Sequence, residues 1–378
     1  MKIIRELQKN LERHIAPNKV IVIVGARRVG KTYLLNQLIK KLKEPYLFFN
    51  GEDFETHRLF EPQTAEYYRQ ILGNHKLLII DEAQKVPQIG NKLKLIVDSI
   101  SDIKIIVTGS SAFDLNNTTG EPLTGRKITY TLFPFSEKEF RQTEENLTSR
   151  RDRLKQRLIF GNYPELIHLK DISQKQGYLK EIINSYLLKD ILVFENIKNA
   201  SKIINLLRLI AFQVGSQVSL QELGKQLSMS KNTVERYLDL LSKVFILFKM
   251  EGFSRNLRKE VTKSSKWYFY DNGIRNTIIA NLNPLNLRND SGMLWENYMI
   301  AERLKYQSQE SVLVNNYFWR TYDQQEIDLI EERGGNLFAY EFKWLKRNAK
   351  IPAAWKKNYP EAEFQVISSD NYYDWLVE

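Results

Sequence analysis

Gly25-Ala26-Arg27-Arg28-Val29-Gly30-Lys31-Thr32 follows the pattern G-x-x-x-x-G-K-[ST], a loop that wraps phosphate, and its flanks decide what the loop is built into. Before it runs Val20-Ile21-Val22-Ile23-Val24, an unbroken β-branched stretch that predicts a buried parallel strand. After it, Tyr33-Leu34-Leu35-Asn36-Gln37-Leu38-Ile39 carries apolar residues at helical spacing. Strand, glycine-bounded loop and helix start together aim backbone N–H groups and the positive helix end at a polyphosphate. Lys31 is then expected to reach the β- and γ-phosphates and the Thr32 hydroxyl to ligate Mg²⁺, with residues Gly25 to Tyr33 as the nucleotide contacts. The alternative is a glycine turn with a surface lysine, and strand and helix in the right register argue against it. The expected ligands are ATP and Mg²⁺.

The chain has 378 residues, 43% hydrophobic and 12% aromatic, enough for two to four domains, each with its own core. No apolar run approaches the length of a membrane span. Met1-Lys2-Ile3-Ile4-Arg5-Glu6-Leu7 alternates charge with apolar residues and lacks a signal-peptide core. With no cysteine, disulfides and thiolate zinc sites are excluded, and a reducing cytoplasm without membrane contact is the expected setting. His14, His57, His75 and His168 stand singly, which speaks against a histidine metal cluster. A formal charge of +11 favours a polyanionic partner such as DNA, and equally fits a lysine-rich solubility surface.

Leu77-Leu78-Ile79-Ile80 runs into Asp81-Glu82, a second buried strand ending in two carboxylates. Near a phosphate loop, Asp81 is expected to hold Mg²⁺ through its water shell and Glu82 to polarise the attacking water. Ile103-Lys104-Ile105-Ile106-Val107 leads to Thr108-Gly109-Ser110-Ser111, where Ser110, or else Thr108, would sense the γ-phosphate; a plain hydroxyl turn is the competing reading. Arg126 precedes the strand Ile128-Thr129-Tyr130-Thr131-Leu132. It is expected either to reach a neighbouring copy's nucleotide, which implies a homo-oligomer, or to be a surface arginine. Asn50, closing Tyr46-Leu47-Phe48-Phe49, is a candidate restraint on Glu82.

The ordered set G-A-R-R-V-G-K-T, I-I-D-E-A-Q-K-V-P, T-G-S-S, L-T-G-R and L-F-P-F-S-x-x-E-F resembles one group of AAA+ ATPases, archaeal and bacterial proteins with a C-terminal domain of unknown function. Phe160-Gly161-Asn162-Tyr163-Pro164-Glu165 is similar to that group's lid signature G-G-[FY]-P-E, with Asn162 where glycine is usual. No lid arginine stands out as a second sensor.

The charged stretch from Glu144 to Arg151 reads as a boundary. Farther on, Val218 to Leu227, the turn Ser228-Met229-Ser230 and the helix Lys231 to Leu241 predict a helix-turn-helix with a Ser230 cap. Phe245 to Met250 and Lys266 to Asp271 then predict two strands of a wing. Arg255, Arg258, Lys259, Lys263 and Lys266 add basic charge there, beside Lys231, Asn232 and Arg236 on the recognition helix. DNA contact through Lys231, Asn232 and Arg236 competes with packing on a protein partner, which Glu235 and Asp239 favour.

The last ninety or so residues predict αβββαβ: a helix from Met293, strands Val312–Arg320, Glu326–Glu331 and Leu337–Lys343, a helix around Trp355 and the strand Phe364–Ile367. Glu341 and Lys343 alternate on one strand and share a face. This order resembles the PD-(D/E)xK nuclease superfamily, with Ile327-Asp328 for Pro-Asp and Glu341-Phe342-Lys343 for E-x-K. The resemblance implies Mg²⁺ on Asp328 and Glu341, assisted by Glu296, with Lys343 near the attacking water. A solvated strand face with a salt pair is the competing reading.

The expected architecture is α/β: a P-loop AAA+ core over residues 1–142, a helical lid over 143–205, a winged helix over 206–284 and a restriction-endonuclease-like domain over 285–378. The expected function is Mg²⁺-dependent ATP hydrolysis coupled to DNA binding, with cleavage as a further step the carboxylates permit. A signalling or protein-remodelling ATPase and a nucleotide-gated nuclease are the alternatives.

Overall fold

The computed structural model describes residues 3–62, 64–109, 123–144, 146–187, 200–255, 265–345 and 349–377. Two compact units divide the chain between Phe133 and Pro134.

In the N-terminal unit, α1 (Leu7–His14) precedes β1 (Lys19–Val24), α2 (Lys31–Leu42), β2 (Tyr46–Asn50), α3 (Phe54–Leu59) and α4 (Ala65–Leu72). These are followed by β3 (Leu77–Asp81), α5 (Ile89–Ser99), β4 (Lys104–Gly109) and β5 (Lys127–Thr131). The strands form one sheet in the order β2-β3-β4-β1-β5, and every pair is parallel. Helices on such a sheet bury both faces of its inner strands, which is why β1, β3 and β4 are near-continuous aliphatic runs. β2 lies at an edge and is half exposed. The carboxyl ends of β1, β3 and β4 carry the phosphate loop, Asp81-Glu82 and Thr108, the end of an open α/β sheet where ligands bind.

The C-terminal unit opens with α6 (Glu137–Phe140), capped reciprocally by Ser136 and Glu139, then α7 (Leu147–Phe160), α8 (Ile172–Glu181) and α9 (Ala200–Phe212). Next come β6 (Gln217–Val218), α10 (Leu220–Leu227), α11 (Lys231–Lys243), β7 (Leu247–Gly252), β8 (Ser265–Phe269) and α12 (Asn272–Ile278). The chain closes with α13 (Ser291–Gln309), β9 (Asn315–Arg320), β10 (Glu326–Arg333), β11 (Asn336–Lys343), α14 (Ala353–Asn358), β12 (Glu363–Ser368) and α15 (Tyr372–Val377).

Among the described residues of this unit, seven strands share one sheet, ordered β12-β11-β10-β9-β7-β8-β6. The pair expected as a wing, β7 and β8, therefore continues the C-terminal sheet through parallel pairing of Glu251 with Tyr317 and Gly252 with Phe318. Phe253, Trp319, Ile327, Ile330, Trp355 and Tyr359 pack the core on one side of β9–β11.

Polar groups are buried in this unit in pairs. Arg157 on α7 gives two bonds to Glu137, at 2.8 and 2.9 Å, and one to Glu144 at 2.5 Å. Its charge is held well above the ordinary guanidinium range: burial opposes ionisation, and Glu137 and Glu144 override it. Asn162 has a fitted role at its unusual position. Its side-chain amide donates to Phe135 O at 2.9 Å and Glu302 Oε1 at 2.8 Å, while its backbone N–H donates to Asp271 at 2.7 Å. Glycine could make only the last of these.

Candidate functional site

The phosphate loop owes its shape to two glycines. Gly25 lies against β5, where a Cβ would fall 2.2 Å from the Leu132 carbonyl oxygen. Gly30 caps α2 at φ 96°, and Arg28 is also left-handed at φ 65°. Alternation of hand along the loop turns successive N–H groups to one side, the concave arrangement that takes up anions. Val29 is fully buried, pinning the loop from below, and Arg5 fastens it from the N-terminal segment by donating to Val29 O at 3.1 Å. No local pattern in the sequence singles out Arg5. A cavity of about 470 Å³ opens between the N-terminal segment and α2, lined in part by Ile4, Arg5, Gln8, Tyr33 and Gln37.

Lys31, nearly fully buried, curls back onto the carbonyls of Gly25 at 3.0 Å and Ala26 at 3.1 Å. The Thr32 hydroxyl donates to Asp81 Oδ2 at 2.6 Å, so the residues expected to share Mg²⁺ already touch. Thr108, fully buried, donates to the other Asp81 oxygen and accepts the Glu82 N–H at 3.0 Å. Its hydroxyl, the second candidate for sensing the γ-phosphate, thus holds both carboxylate-bearing residues. Ser110, the first candidate for that role, lies outside the described residues.

Glu82 is left-handed at φ 50°, with its carboxylate 4.0 Å from Lys31 Nζ. Gln84 donates to its second oxygen at 2.6 Å. Gly51 lies under this bend, since a Cβ there would be 2.3 Å from the Glu82 carbonyl oxygen. Gln84 and Gly51 went unremarked in the sequence, although the D-E-A-Q run contains the first. Asn50 accepts the Glu52 N–H at 3.0 Å and makes no hydrogen bond to Glu82. Arg126 forms an ion pair with Asp98 on α5 of its own unit, with both side chains part-exposed.

A hydroxyl and a carboxylate converging at the mouth of the glycine-bounded loop, beside a lysine that donates to backbone carbonyls there, fit a magnesium nucleotide. Phosphate oxygens can replace those carbonyls as lysine acceptors, and Thr32 with Asp81 offers the oxygen donors a hard cation takes.

In the C-terminal unit, α10 is capped by Ser219 and α11 by Ser230. Their crossing is tight: a Cβ on Gly224 would fall 2.7 Å from Met229 O. Lys231, Asn232 and Arg236 are exposed on α11, and so are Glu235 and Asp239. Arg255 pairs with Glu332 at 3.1 Å, whereas residues 256–264, including Arg258, Lys259 and Lys263, lie outside the described residues.

The C-terminal carboxylates do come together, though not as expected. Pairing of β9 with β10 breaks register between Ile327 and Ile330, and Asp328 lies in that break, accepting the Phe342 N–H at 2.8 Å. Glu341 pairs with Lys343 at 2.6 Å. Glu296 accepts from Tyr268 at 2.7 Å and from Lys266 Nζ at 3.4 Å, and Lys266 also pairs with Glu326. Lys266, read from the sequence as part of a basic wing, is 1% exposed. Burial, reinforced by Asp328, pushes Glu296 and Glu341 up to about 7 against the opposing pull of Lys266 and Lys343. Among the described residues no group of three or more His, Asp or Glu is arranged to hold a metal ion. Of the expected triad, Glu296 and Glu341 each pair with a lysine ammonium group, and Asp328 accepts the Phe342 N–H.

Residues 17–141 match the model of an AAA domain. Residues 151–288 match a domain of unknown function (DUF8612), and residues 291–375 match another (DUF4143). An uncharacterized protein of Methanocaldococcus jannaschii is 26% identical over 329 residues, which span 80% of this chain and 74% of that one. An uncharacterized protein of Haemophilus influenzae is 24% identical over 410 aligned positions, covering 94% of each. Among solved structures, a Thermotoga maritima RuvB variant aligns at 15% identity with a TM-score of 0.34, covering 65% of this chain and 89% of that one. A likeness that remote carries no argument. The N-terminal unit thus holds a P-loop core of the AAA type, and no helix among the described residues is long and apolar enough to cross a membrane.

Proposed function

We propose that this chain binds ATP with Mg²⁺, hydrolyses it to ADP and phosphate, and couples that cycle to DNA contact through α11. The observation that carries the nucleotide reading is the 2.6 Å contact of Thr32 with Asp81 at the mouth of the phosphate loop. The loop N–H groups and the start of α2 bind the phosphates. Lys31 exchanges the carbonyls of Gly25 and Ala26 for phosphate oxygens. Thr32 and Asp81 hold Mg²⁺, which when bound offsets the phosphate charge. Glu82, fixed by Gln84 and Thr108, orients a water and accepts its proton as the oxygen attacks the γ-phosphorus and the bond to the ADP oxygen breaks.

The DNA part rests on Lys231, Asn232 and Arg236, exposed together near the start of α11, where cationic and amide side chains suit phosphate and groove contacts. A protein partner is the competing reading, favoured by Glu235 and Asp239 on the same helix. DNA cleavage is left out, because Lys266 and Lys343 pair with Glu296 and Glu341, two of the carboxylates it would need.

ATP turnover measured with and without duplex DNA, beside DNA binding at several salt concentrations, tests the reading. Turnover that responds to DNA is expected, with affinity falling steeply as salt rises and the slope shallower in Lys231→Ala/Arg236→Ala. Salt-insensitive or absent DNA binding would hand α11 to a protein partner. Absence of ATP turnover under every condition would defeat the enzymatic reading.

A further inference from the structure

Four carboxylates in the C-terminal unit, Glu296, Glu326, Asp328 and Glu341, come from α13, β10 and β11. Left alone they would repel one another, and a nuclease-like site would relieve the repulsion with a divalent ion. We propose that Lys266 is a built-in cation that takes the divalent ion's place, so that this cluster is held together without metal.

Lys266 and Tyr268 are two residues apart on β8 and share one face, from which both reach Glu296. The ammonium lies 3.4 Å from Glu296, pairs with Glu326 and sits 5.3 Å from the centre of the Phe318 ring. At 1% exposure this lysine would be costly as an isolated charge, and only such partners make it tenable.

The other carboxylates have partners of their own. Asp328 binds the Phe342 N–H, and Glu341 binds Lys343 at 2.6 Å. Arg320 lies 3.5 Å from Glu326. Three cations therefore face four carboxylates, and an added divalent charge would leave the cluster net positive. On one side, backbone of the α9–β6 turn lies against Glu296: a Cβ on Gly215 would fall 2.9 Å from Glu296 Oε1. Mg²⁺ demands an octahedral shell of oxygens, and two of these carboxylates already share theirs with ammonium groups.

The test counts Mn²⁺ bound to the full-length, nucleotide-free protein by electron paramagnetic resonance, in which bound ion loses its free signal. Any Mn²⁺ at Thr32 and Asp81 is common to all samples and cancels. Asp328→Asn is expected to bind as much Mn²⁺ as wild type. Lys266→Met should gain about one ion per chain, lost again in Lys266→Met/Asp328→Asn, while Lys266→Arg keeps the charge and matches wild type. If Lys266→Met fails to fold in chelator, recovery of its native circular dichroism by Mn²⁺ but not by potassium is the same gain read differently. A wild-type Mn²⁺ site that Asp328→Asn abolishes would overturn the proposal. So would a folded Lys266→Met chain that binds no additional ion.

Discussion

One carboxylate pair closes β3 and a carboxylate cluster gathers from α13, β10 and β11, and the two are satisfied in opposite ways. At β3, Asp81 and Glu82 are held chiefly by neutral donors: the Thr32 and Thr108 hydroxyls and the Gln84 amide, with Lys31 4.0 Å away. In the C-terminal unit, Glu296, Glu326 and Glu341 are bound directly by the ammonium groups of Lys266 and Lys343. A neutral hydrogen bond contributes about 1 kcal/mol, whereas breaking a buried ion pair costs about 3–5 kcal/mol. The first arrangement leaves its negative charge open to an incoming cation, which under the proposed function arrives and leaves with nucleotide. The second has its cation for the life of the fold.

That contrast is open to attack, first at Lys31. Lys31→Ala should abolish ATP binding in an equilibrium assay with a fluorescent nucleotide, because its ammonium is the only one expected on the phosphates. Retained affinity would mean that the phosphate loop is not the nucleotide site. Glu82→Gln should bind ATP normally and release phosphate about 10²–10⁴-fold more slowly, the range for a lost general base. Wild-type turnover in that variant would remove Glu82 from the chemistry.

Arg157→Leu asks whether the C-terminal unit depends on internal cations in general. Stranding Glu137 and Glu144 should cost about 3–5 kcal/mol in urea unfolding, and a loss under 1 kcal/mol would contradict that dependence. Thr108→Val sharpens the other side. It should lower turnover about 10–100-fold by freeing Asp81 and Glu82, and Thr108→Ser should restore most of it. An unchanged rate would make the hydroxyl mere filling.

The smallest effect is expected at Arg126, whose part-exposed pair with Asp98 contributes less than about 1 kcal/mol. Turnover per chain in Arg126→Ala should stay near wild type at every protein concentration. A large loss, restored by mixing with Lys31→Ala chains, would instead assign Arg126 to a neighbour's nucleotide.

Where sequence and structure agree, the signal was local. Val20–Val24, Leu77–Ile80 and Ile103–Val107 stand out as strands because each is buried on both faces, and nothing but aliphatic residues suits that position. Ser219 and Ser230 marked helix starts, and each accepts the expected backbone N–H. The order αβββαβ after residue 290 was legible from alternation. Lys266 shows where such reading fails. A lone lysine beside Trp267, Tyr268 and Phe269 looks like a wing residue facing solvent, yet β8 is an inner strand of a seven-stranded sheet.

The sequence by itself determined the phosphate loop, the strand that enters it, the helix that leaves it and the carboxylate pair at the end of β3. Each depends on residues adjacent in the chain, where periodicity and backbone hand are local properties. Only the tertiary structure decided which cation meets which carboxylate. Thr108 reaches Asp81 across 27 residues, Lys266 reaches Glu296 across 30, and Arg157 reaches Glu137 across 20. Charge balance inside a protein is set by distance and burial, and neither is written in the spacing of residues along the chain.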